Sequence, residues 1–390
     1  MPAVCLYFQL HQPLRLRRYS VFDTDRHYFD DFKNAGLLRT IADRSYLPAN
    51  ALLLDQLKRL RGDFAVAYSV SGILLDQFRQ YTPEVIESFK RLAGTGRVEF
   101  LNETYYHSLA YQLSPEEFRY QVEHHRNLIR DLFGQSARVF RNTELIYDNS
   151  VALMAQSMGY DAVLAEGVDD VLGTRPPNAV YVAPCGGPKL LLRNYRLSDD
   201  IAYRFSDPAW PQYPLTAEKF AQRVAQIDEP GAVCNLFMDY ETFGEHQWQE
   251  TGIFEFLKHL PRQLIDSAGV KFVTPSEAID TLPVAGQFDC NRLTSWADTE
   301  RDLSAWNGNA MQANAFAELR KLGPTLAARG DEHLMDDWRR LGTSDHFYYM
   351  STKFWADGEV HKYFSPYESP YDAYINFMNV LDNIRSRANA

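Results

Sequence analysis

Two acidic side chains follow short apolar runs of the sequence, where they could carry out acid–base chemistry. Glu144 comes just after the run Val139–Arg141, and Asp239 comes directly after the run Val233–Met238. One ionised carboxyl group and one that holds a proton can together attack a carbon and protonate a leaving oxygen. The two residues lie far apart in the chain, so only the fold can bring them together.

Each acid also has a structural interpretation. An acid among apolar neighbours, as Glu144 is, usually has a structural partner, and Arg141 is close in sequence. Asp239 could instead cap the N-terminus of a helix. Taken together, the two positions favour a glycosidase, because that class of enzyme needs two carboxyl groups beside the bond that it cleaves.

Further polar residues follow other apolar runs, and they could contact a substrate or a metal ion. His11 follows Val4–Leu10 and could hydrogen-bond a sugar hydroxyl, although its position alone favours a partly buried histidine bonded to the backbone. The sequence has no HxxxH, HExxH or CxxC motif, so a metal site is the weaker interpretation. We therefore expect no metal and no cofactor.

Strand and helix patterns alternate through most of the chain. Helix signals occur at Pro83–Ala93 and at Ser114–Phe133, where Ser114 is placed to cap the helix and Pro115 to begin it. The predicted strands are Val4–Leu10, Phe64–Ser69, Val98–Leu101, Val139–Arg141, Ala162–Leu164, Leu190–Arg193, Val233–Met238 and Val270–Val273. This alternation predicts a parallel β/α barrel, incomplete in its strands, with the site at the carboxyl ends of the strands.

The pattern changes after about residue 283 and becomes rich in helix. We predict a barrel over residues 1–285 and a C-terminal helical region over residues 286–390 that completes the substrate cleft. Trp296 and Trp306 are spaced to share one helix face, which fits either core packing or platforms for a sugar ring. His346, in a polar and aromatic cluster near residue 345, has the same two interpretations.

Composition excludes several classes of protein. The chain of 390 residues carries 40 basic and 51 acidic side chains, a net charge of −11, which argues against nucleic-acid binding. A hydrophobic share of 45% excludes a disordered chain, and no apolar run is long enough to span a membrane. Four dispersed cysteines and an N-terminus without a signal-like pattern predict a cytoplasmic protein.

Five segments then resemble the signature regions of glycoside hydrolase family 57, especially its short α-amylase-like members. They are His11–Pro13, Gly96–Phe100, Phe140–Glu144, Asp239–His246 and Ser295–Asp298, with further similarity at Ser344–Met350 and Val360–Phe364. The resemblance implies an incomplete (β/α)7 TIM-like barrel followed by a C-terminal helical region. It also implies retaining cleavage of α-glucosidic bonds without a metal.

The resemblance further implies a role for individual residues. Glu144 matches the catalytic nucleophile, Asp239 the general acid/base, and His11 the histidine that lines the cleavage subsite. Trp296 and Trp306 resemble tryptophans of the sugar cleft. We predict the full set of substrate-binding residues to be His11, Gln12, Glu103, His107, Asn142, His246, Trp296, Trp306 and His346.

The expected function is α-amylase-like hydrolysis of α-1,4 bonds in glycogen, starch or maltodextrins, with an α-glucan or maltooligosaccharide as substrate and neither nucleic acid nor a membrane as partner. A 4-α-glucanotransferase or a glycogen branching enzyme could use the same residues. A zinc polysaccharide deacetylase and a non-catalytic glycan-binding protein are more distant alternatives. Linkage and chain-length preference, the physiological polymer and the oligomeric state stay open at this point.

Overall fold

The fold is described from a computed structural model that covers residues 2–355 and 364–389. The motif at Val360–Phe364 therefore lies, except for Phe364, outside the described residues. The strands are β1 (Ala3–Leu10), β2 (Val66–Val70), β3 (Val98–Phe100), β4 (Val139–Arg141), β5 (Ala162–Glu166), β6 (Val180–Val182), β7 (Lys189–Arg193), β8 (Val233–Asp239), β9 (Lys271–Phe272) and β10 (Val284–Gln287).

These strands form two sheets, in the orders β3-β2-β1-β8 and β10-β6-β7-β5-β4, with β9 beside the start of β1. Every pair is parallel except β6 with β7. A parallel bridge between Asn102 and Phe140 joins the end of β3 to β4, and the Asn194 N–H donates to the Asn235 carbonyl (2.9 Å) between β7 and β8. Among the described residues, an incomplete TIM-like barrel is thus formed by seven parallel strands, β1–β5, β7 and β8, with the short β9 parallel to the start of β1.

The strands are buried on both faces, which explains why they appear as apolar runs in the sequence. In β1 every residue is buried. Cys5 and Tyr7 point into the barrel and pack with residues of the other strands, among them Phe237. Phe8 and Leu10 point outward and pack against the surrounding helices. Because successive side chains of a strand alternate between faces, one strand contributes to both layers of the core.

Helices cover the outer face of the barrel, and Ser114 caps the helix that begins at Pro115, as predicted. The Ser114 hydroxyl accepts a hydrogen bond from the Glu117 N–H (3.0 Å), and Thr274 with Glu277 forms a reciprocal capping box. These helices are α1 (Asp31–Ile41), α2 (Leu47–Leu60), α3 (Gly72–Tyr81), α4 (Pro83–Ala93), α5 (Ala110–Leu113), α6 (Pro115–Phe133), α7 (Asn149–Ser157), α8 (Asp169–Leu172), α9 (Tyr195–Ala202), α10 (Ala217–Val224), α11 (Ile253–Ala268) and α12 (Pro275–Thr281).

Within the described residues, five further helices follow β10: α13 (Ser304–Asn307), α14 (Ala310–Arg329), α15 (Glu332–Leu341), α16 (Ser344–Tyr348) and α17 (Pro370–Asn389). Arg339 of α15 donates to both carboxylate oxygens of Glu117 of α6, at 3.0 and 3.3 Å. The Asn376 side chain of α17 accepts from the Tyr19 N–H (2.6 Å). These bonds fix the late helices against the N-terminal half of the chain. The division at residue 285 itself stays a prediction.

Within the part of the chain that the structure describes, no helix combines the length and the apolarity that crossing a membrane requires.

The Arg339–Glu117 pair predicts a clear effect on stability. Both side chains are nearly buried, at 9% and 10% exposed, so Arg339→Met would leave the Glu117 charge buried without its cation. We expect the free energy of unfolding to fall by about 3 kcal/mol in urea denaturation at neutral pH. Arg262→Met, which removes an exposed ion pair with Asp266, is the control and should hardly change it. Equal effects of the two substitutions would show that the buried pair does not hold α15 in place.

Candidate active site

Side chains from the carboxyl ends of several barrel strands and from the C-terminal helices line one cleft. Eight of the residues singled out from the sequence meet there: His11, Gln12, His107, Glu144, Asp239, His246, Trp296 and Trp306. The carboxyl ends of parallel strands gather at one face of a barrel, so residues far apart in the chain become neighbours. The two acids therefore face the same cavity.

Three other predicted residues lie behind the cleft wall instead of lining it. Glu103 is fully buried. The Asn142 side chain accepts from the Thr143 N–H and donates to the Ile146 carbonyl, both at 3.0 Å, and so holds the turn that carries Glu144. The buried ring of His346 packs against other aromatic rings. The structure does not bring these three side chains to the lining of the cleft.

The turn after β4 presents Glu144 to the cleft in an unusual backbone conformation. Glu144 has φ 57° and ψ 26°, and Leu145 has φ 51°, so both residues lie in the left-handed region. Residues with a Cβ adopt this region rarely, and such strain is typically kept where function requires it. The Trp296 N–H donates to the Glu144 carbonyl (3.2 Å) and helps to hold the turn.

Two donors fix the Glu144 carboxylate. The His107 ring donates from Nε2 to Oε1 (2.9 Å), and the Trp296 indole donates from Nε1 to Oε2 (2.6 Å). Burial alone would raise the pKa of Glu144, but the hydrogen bond and charge of His107, the charge of Arg141 and the Trp296 bond outweigh it and lower this pKa. Glu144 is therefore ionised at neutral pH.

His107 stands between two carboxylates. Its Nδ1 bonds Glu103 Oε2 (2.9 Å) while its Nε2 bonds Glu144. Burial would lower the pKa of His107, but these two acids raise it to about 9, so the ring is a cation that donates from both nitrogens. Glu103 is held in turn by Gln9 Nε2 (3.1 Å) and lies 4.0 Å from Arg141 Nη1.

Asp239 is in the opposite protonation state. It ends β8, and its side chain caps no helix, so the structural alternative suggested by its position does not apply. Burial and then the negative charge of Glu144 raise the pKa of Asp239 to about 6, against the opposing charges of Arg141, His107 and Arg193. Two acids whose pKa values are driven apart are the arrangement that acid–base catalysis needs.

Two arginines support Trp296 from within the protein. The guanidinium carbons of Arg141 and Arg193 lie 5.0 and 5.5 Å from the centre of its ring. Arg301 donates to the Trp296 carbonyl and lies 3.5 Å from Glu166, which is itself paired with Arg193 at 3.1 Å. This buried network sets the position of the indole that bonds Glu144.

Several residues that line the cleft are absent from the predicted catalytic and substrate-binding residues: Arg193, Tyr203, Glu241, Asp345 and Tyr348. Glu241 is buried beside Asp239 and accepts a hydrogen bond from the Tyr46 hydroxyl. Burial and the charge of Asp239 raise its pKa to about 8. Asp345 is adjacent to the predicted His346 in sequence, and only the orientation of α16 decides which of the two faces the cleft.

Among the residues that the structure describes, no group of three or more histidine, cysteine, aspartate or glutamate side chains is arranged to hold a metal ion.

The charge of His107 can be tested directly. NMR titration of the ring in wild type should give a pKa near 9. In Glu103→Gln, one of its two anionic partners is gone, so the pKa should fall by at least about one unit. His333→Gln removes another histidine and is the control for assigning the signal. A His107 ring that titrates near its ordinary value in both proteins would contradict the assignment.

The sequence is similar to those of known proteins. The family model described as glycosyl hydrolase family 57 matches residues 5–290. A protein of Methanocaldococcus jannaschii named "Putative alpha-amylase" is 42% identical over 388 residues, which is 96% of this chain and 82% of that protein.

Solved structures share the fold at much lower identity. A GH57-type branching enzyme from Pyrococcus horikoshii superposes with a TM-score of 0.69 at 13% identity, covering 100% of this chain and 94% of that one. A 4-alpha-glucanotransferase from Thermococcus litoralis superposes with a TM-score of 0.66 at 15% identity, covering 89% of this chain and 56% of the length of that structure.

Proposed function

Because this chain belongs to glycosyl hydrolase family 57 and is a glycoside hydrolase, we propose that it cleaves α-1,4-glucosidic bonds with retention of configuration. The observation that carries the proposal is one cleft that holds an ionised Glu144 and an Asp239 whose pKa is raised to about 6. Retaining glycosidases need one carboxylate as a nucleophile and one carboxylic acid as a proton donor.

In the first step, a Glu144 carboxylate oxygen attacks the anomeric carbon of the bound glucosyl unit. The bond from that carbon to the leaving sugar oxygen breaks, and the proton of Asp239 moves to this oxygen. The product is an ester between Glu144 and the glucosyl unit. His107 and Trp296 hold the carboxylate in one orientation, which keeps the attacking oxygen in place.

In the second step, Asp239 takes a proton from water, the water oxygen bonds to the anomeric carbon, and the ester bond to Glu144 breaks. The ester carries no negative charge, so one of the two influences that raise the pKa of Asp239 is gone. Its pKa then falls, and the same residue becomes the carboxylate that the second step needs. The electrostatics of the cleft thus favour both roles of Asp239 in turn.

The proposed substrate is an α-glucan or a maltooligosaccharide, as the name of the Methanocaldococcus relative also suggests. The cleft is lined by aromatic side chains, which suit the apolar faces of glucose rings: Tyr203, Trp296, Trp306, Tyr348 and Phe364. Action on internal glycogen in the cytoplasm belongs to the proposal as well. Transfer of the glucosyl group to a second sugar, in place of water, would use the same two acids.

Glu144→Gln tests the proposed nucleophile. We expect kcat on maltoheptaose to fall by about 10⁴-fold or more, with binding of the oligosaccharide retained. Glu116→Gln, on the exposed first turn of α6, is the matched control and should keep full activity. Hydrolysis by Glu144→Gln at the wild-type rate would disprove the assignment. In the wild type, products longer than maltoheptaose would favour transfer over hydrolysis.

The pH dependence tests the proposed acid. Asp239 must hold its proton in the first step, so kcat/KM for maltoheptaose should fall as the pH rises through about 6. With α-maltosyl fluoride, whose leaving group needs no proton from Asp239, this fall should be absent. The same fall of kcat/KM with rising pH for both substrates would contradict the assignment of Asp239.

A further inference from the structure

His11 lines the cleft, but the protein already uses both nitrogens of its ring. Nδ1 lies 2.8 Å from the Ser71 hydroxyl oxygen, and Nε2 lies 3.0 Å from Asp345 Oδ2. The side chain is 9% exposed. A sugar hydroxyl that bonded to His11 would have to displace one of these two partners.

The neighbours of His11 also determine the protonation state of its ring. Its ring is stacked on the ring of His107, with centres 4.0 Å apart and planes 15° apart. Burial and the positive charge of His107 lower the pKa of His11, although Asp345 opposes this. A neutral His11 places its proton on Nε2, donates to Asp345 and accepts from the Ser71 hydroxyl. It has no further donor or acceptor to offer a substrate.

Asp345 is placed differently, because it reaches the cleft from the C-terminal helices. The Ser344 N–H donates to the His107 carbonyl, and the Thr343 hydroxyl donates to the Tyr106 carbonyl, both at 3.0 Å. These bonds attach the start of α16 to the segment that follows β3. The position of Asp345 is thus tied to that of His107, which bonds Glu144.

The carboxylate of Asp345 keeps an oxygen for a ligand. It lines the cleft and is 24% exposed, and its hydrogen bond within the described residues is the one from His11 to Oδ2. Burial would raise the pKa of Asp345, but the hydrogen bond from His11 and the positive charge of His107 lower it well below its usual range. Asp345 is therefore a carboxylate with Oδ1 available as an acceptor.

We propose that Asp345 binds a hydroxyl group of the glucosyl unit that Glu144 attacks, and that His11 acts as a positioning residue for it. This inference rests on the proposed function, since it names a contact with the same sugar. The stacked imidazoles of His11 and His107 connect Asp345 to Glu144, so both carboxylates lie on one wall of the cleft. An ionised acceptor forms stronger hydrogen bonds to hydroxyl groups than a neutral one does.

The contact between Asp345 and the sugar hydroxyl is tested by a double cycle, in which the protein and the substrate are each changed alone and together. Wild type and Asp345→Ala are compared on α-maltosyl fluoride and on its 2-, 3- and 6-deoxy analogues in the ring that bears fluorine. The intrinsic reactivity of each analogue affects both proteins equally, so it cancels when the kcat/KM of wild type is divided by that of Asp345→Ala. For one analogue, removal of the hydroxyl should cost wild type about 10- to 100-fold more in kcat/KM than it costs Asp345→Ala. Equal costs, within twofold, for all three analogues would overturn the proposal.

Two variants separate a sugar contact from a structural role. Asp345→Asn keeps the size of the side chain and an oxygen for His11, so it should fold and still show the loss of coupling. Asp336→Asn is the matched control, because Asp336 also joins the late helices to the barrel, by accepting from the Tyr106 hydroxyl (2.7 Å), but does not line the cleft. It should keep the wild-type response to every analogue. A response of Asp336→Asn like that of Asp345→Asn would overturn the proposal.

A binding measurement keeps this inference distinct from the proposed function. If wild type failed to turn over α-maltosyl fluoride, the proposed reaction would fall, but calorimetry with maltoheptaose would still test Asp345. Glu144→Gln should bind this ligand at least about tenfold more tightly than Glu144→Gln combined with Asp345→Asn. Equal affinities would show that Asp345 does not bind the sugar.

Discussion

The candidate site depends on one buried cation, the imidazolium of His107, held between the carboxylates of Glu103 and Glu144. Its hydrogen bond and its charge are the largest of the influences that oppose burial and lower the pKa of Glu144. With it, Glu144 keeps its negative charge, and that charge helps to keep the proton on Asp239. One ion therefore contributes, through Glu144, to the opposite protonation states of the two acids.

Much of the surrounding structure serves to hold that ion and its partners in place. His107 and Glu144 both have left-handed backbone, with φ 48° and 57°. Residues with a Cβ rarely adopt this region, so their own conformational preference does not explain it. Their conformation is maintained by the bond from Ser344 to the His107 carbonyl and by the bond from Trp296 to the Glu144 carbonyl. Both donors follow the barrel strands in the chain. The segments after the barrel thus help to shape a site whose acids the barrel supplies.

The sequence indicates the barrel and its two acids because each depends on a local pattern. Strands buried on both faces give apolar runs, and Glu144 and Asp239 stand where such runs end. Strand β10 is mostly exposed and therefore gives no apolar run, and neither it nor its partner β6 is among the predicted strands. The predicted set names His346, whereas the structure places Asp345 in the cleft, because the choice between these neighbours depends on how α16 packs. Likewise Arg141, considered as a partner of Glu144, lies against Glu103 and Trp296, a contact that only the tertiary fold defines.

The central claim is that Glu144 forms a covalent bond to the substrate, and trapping that intermediate tests it most directly. A 5-fluoro α-maltosyl fluoride should slow the second step so that the glycosyl-enzyme accumulates. Peptide mass spectrometry should then find one added 5-fluoromaltosyl group, on the peptide that contains Glu144. The label on a different residue, or steady turnover of the reagent to a product of inverted configuration, would contradict the account.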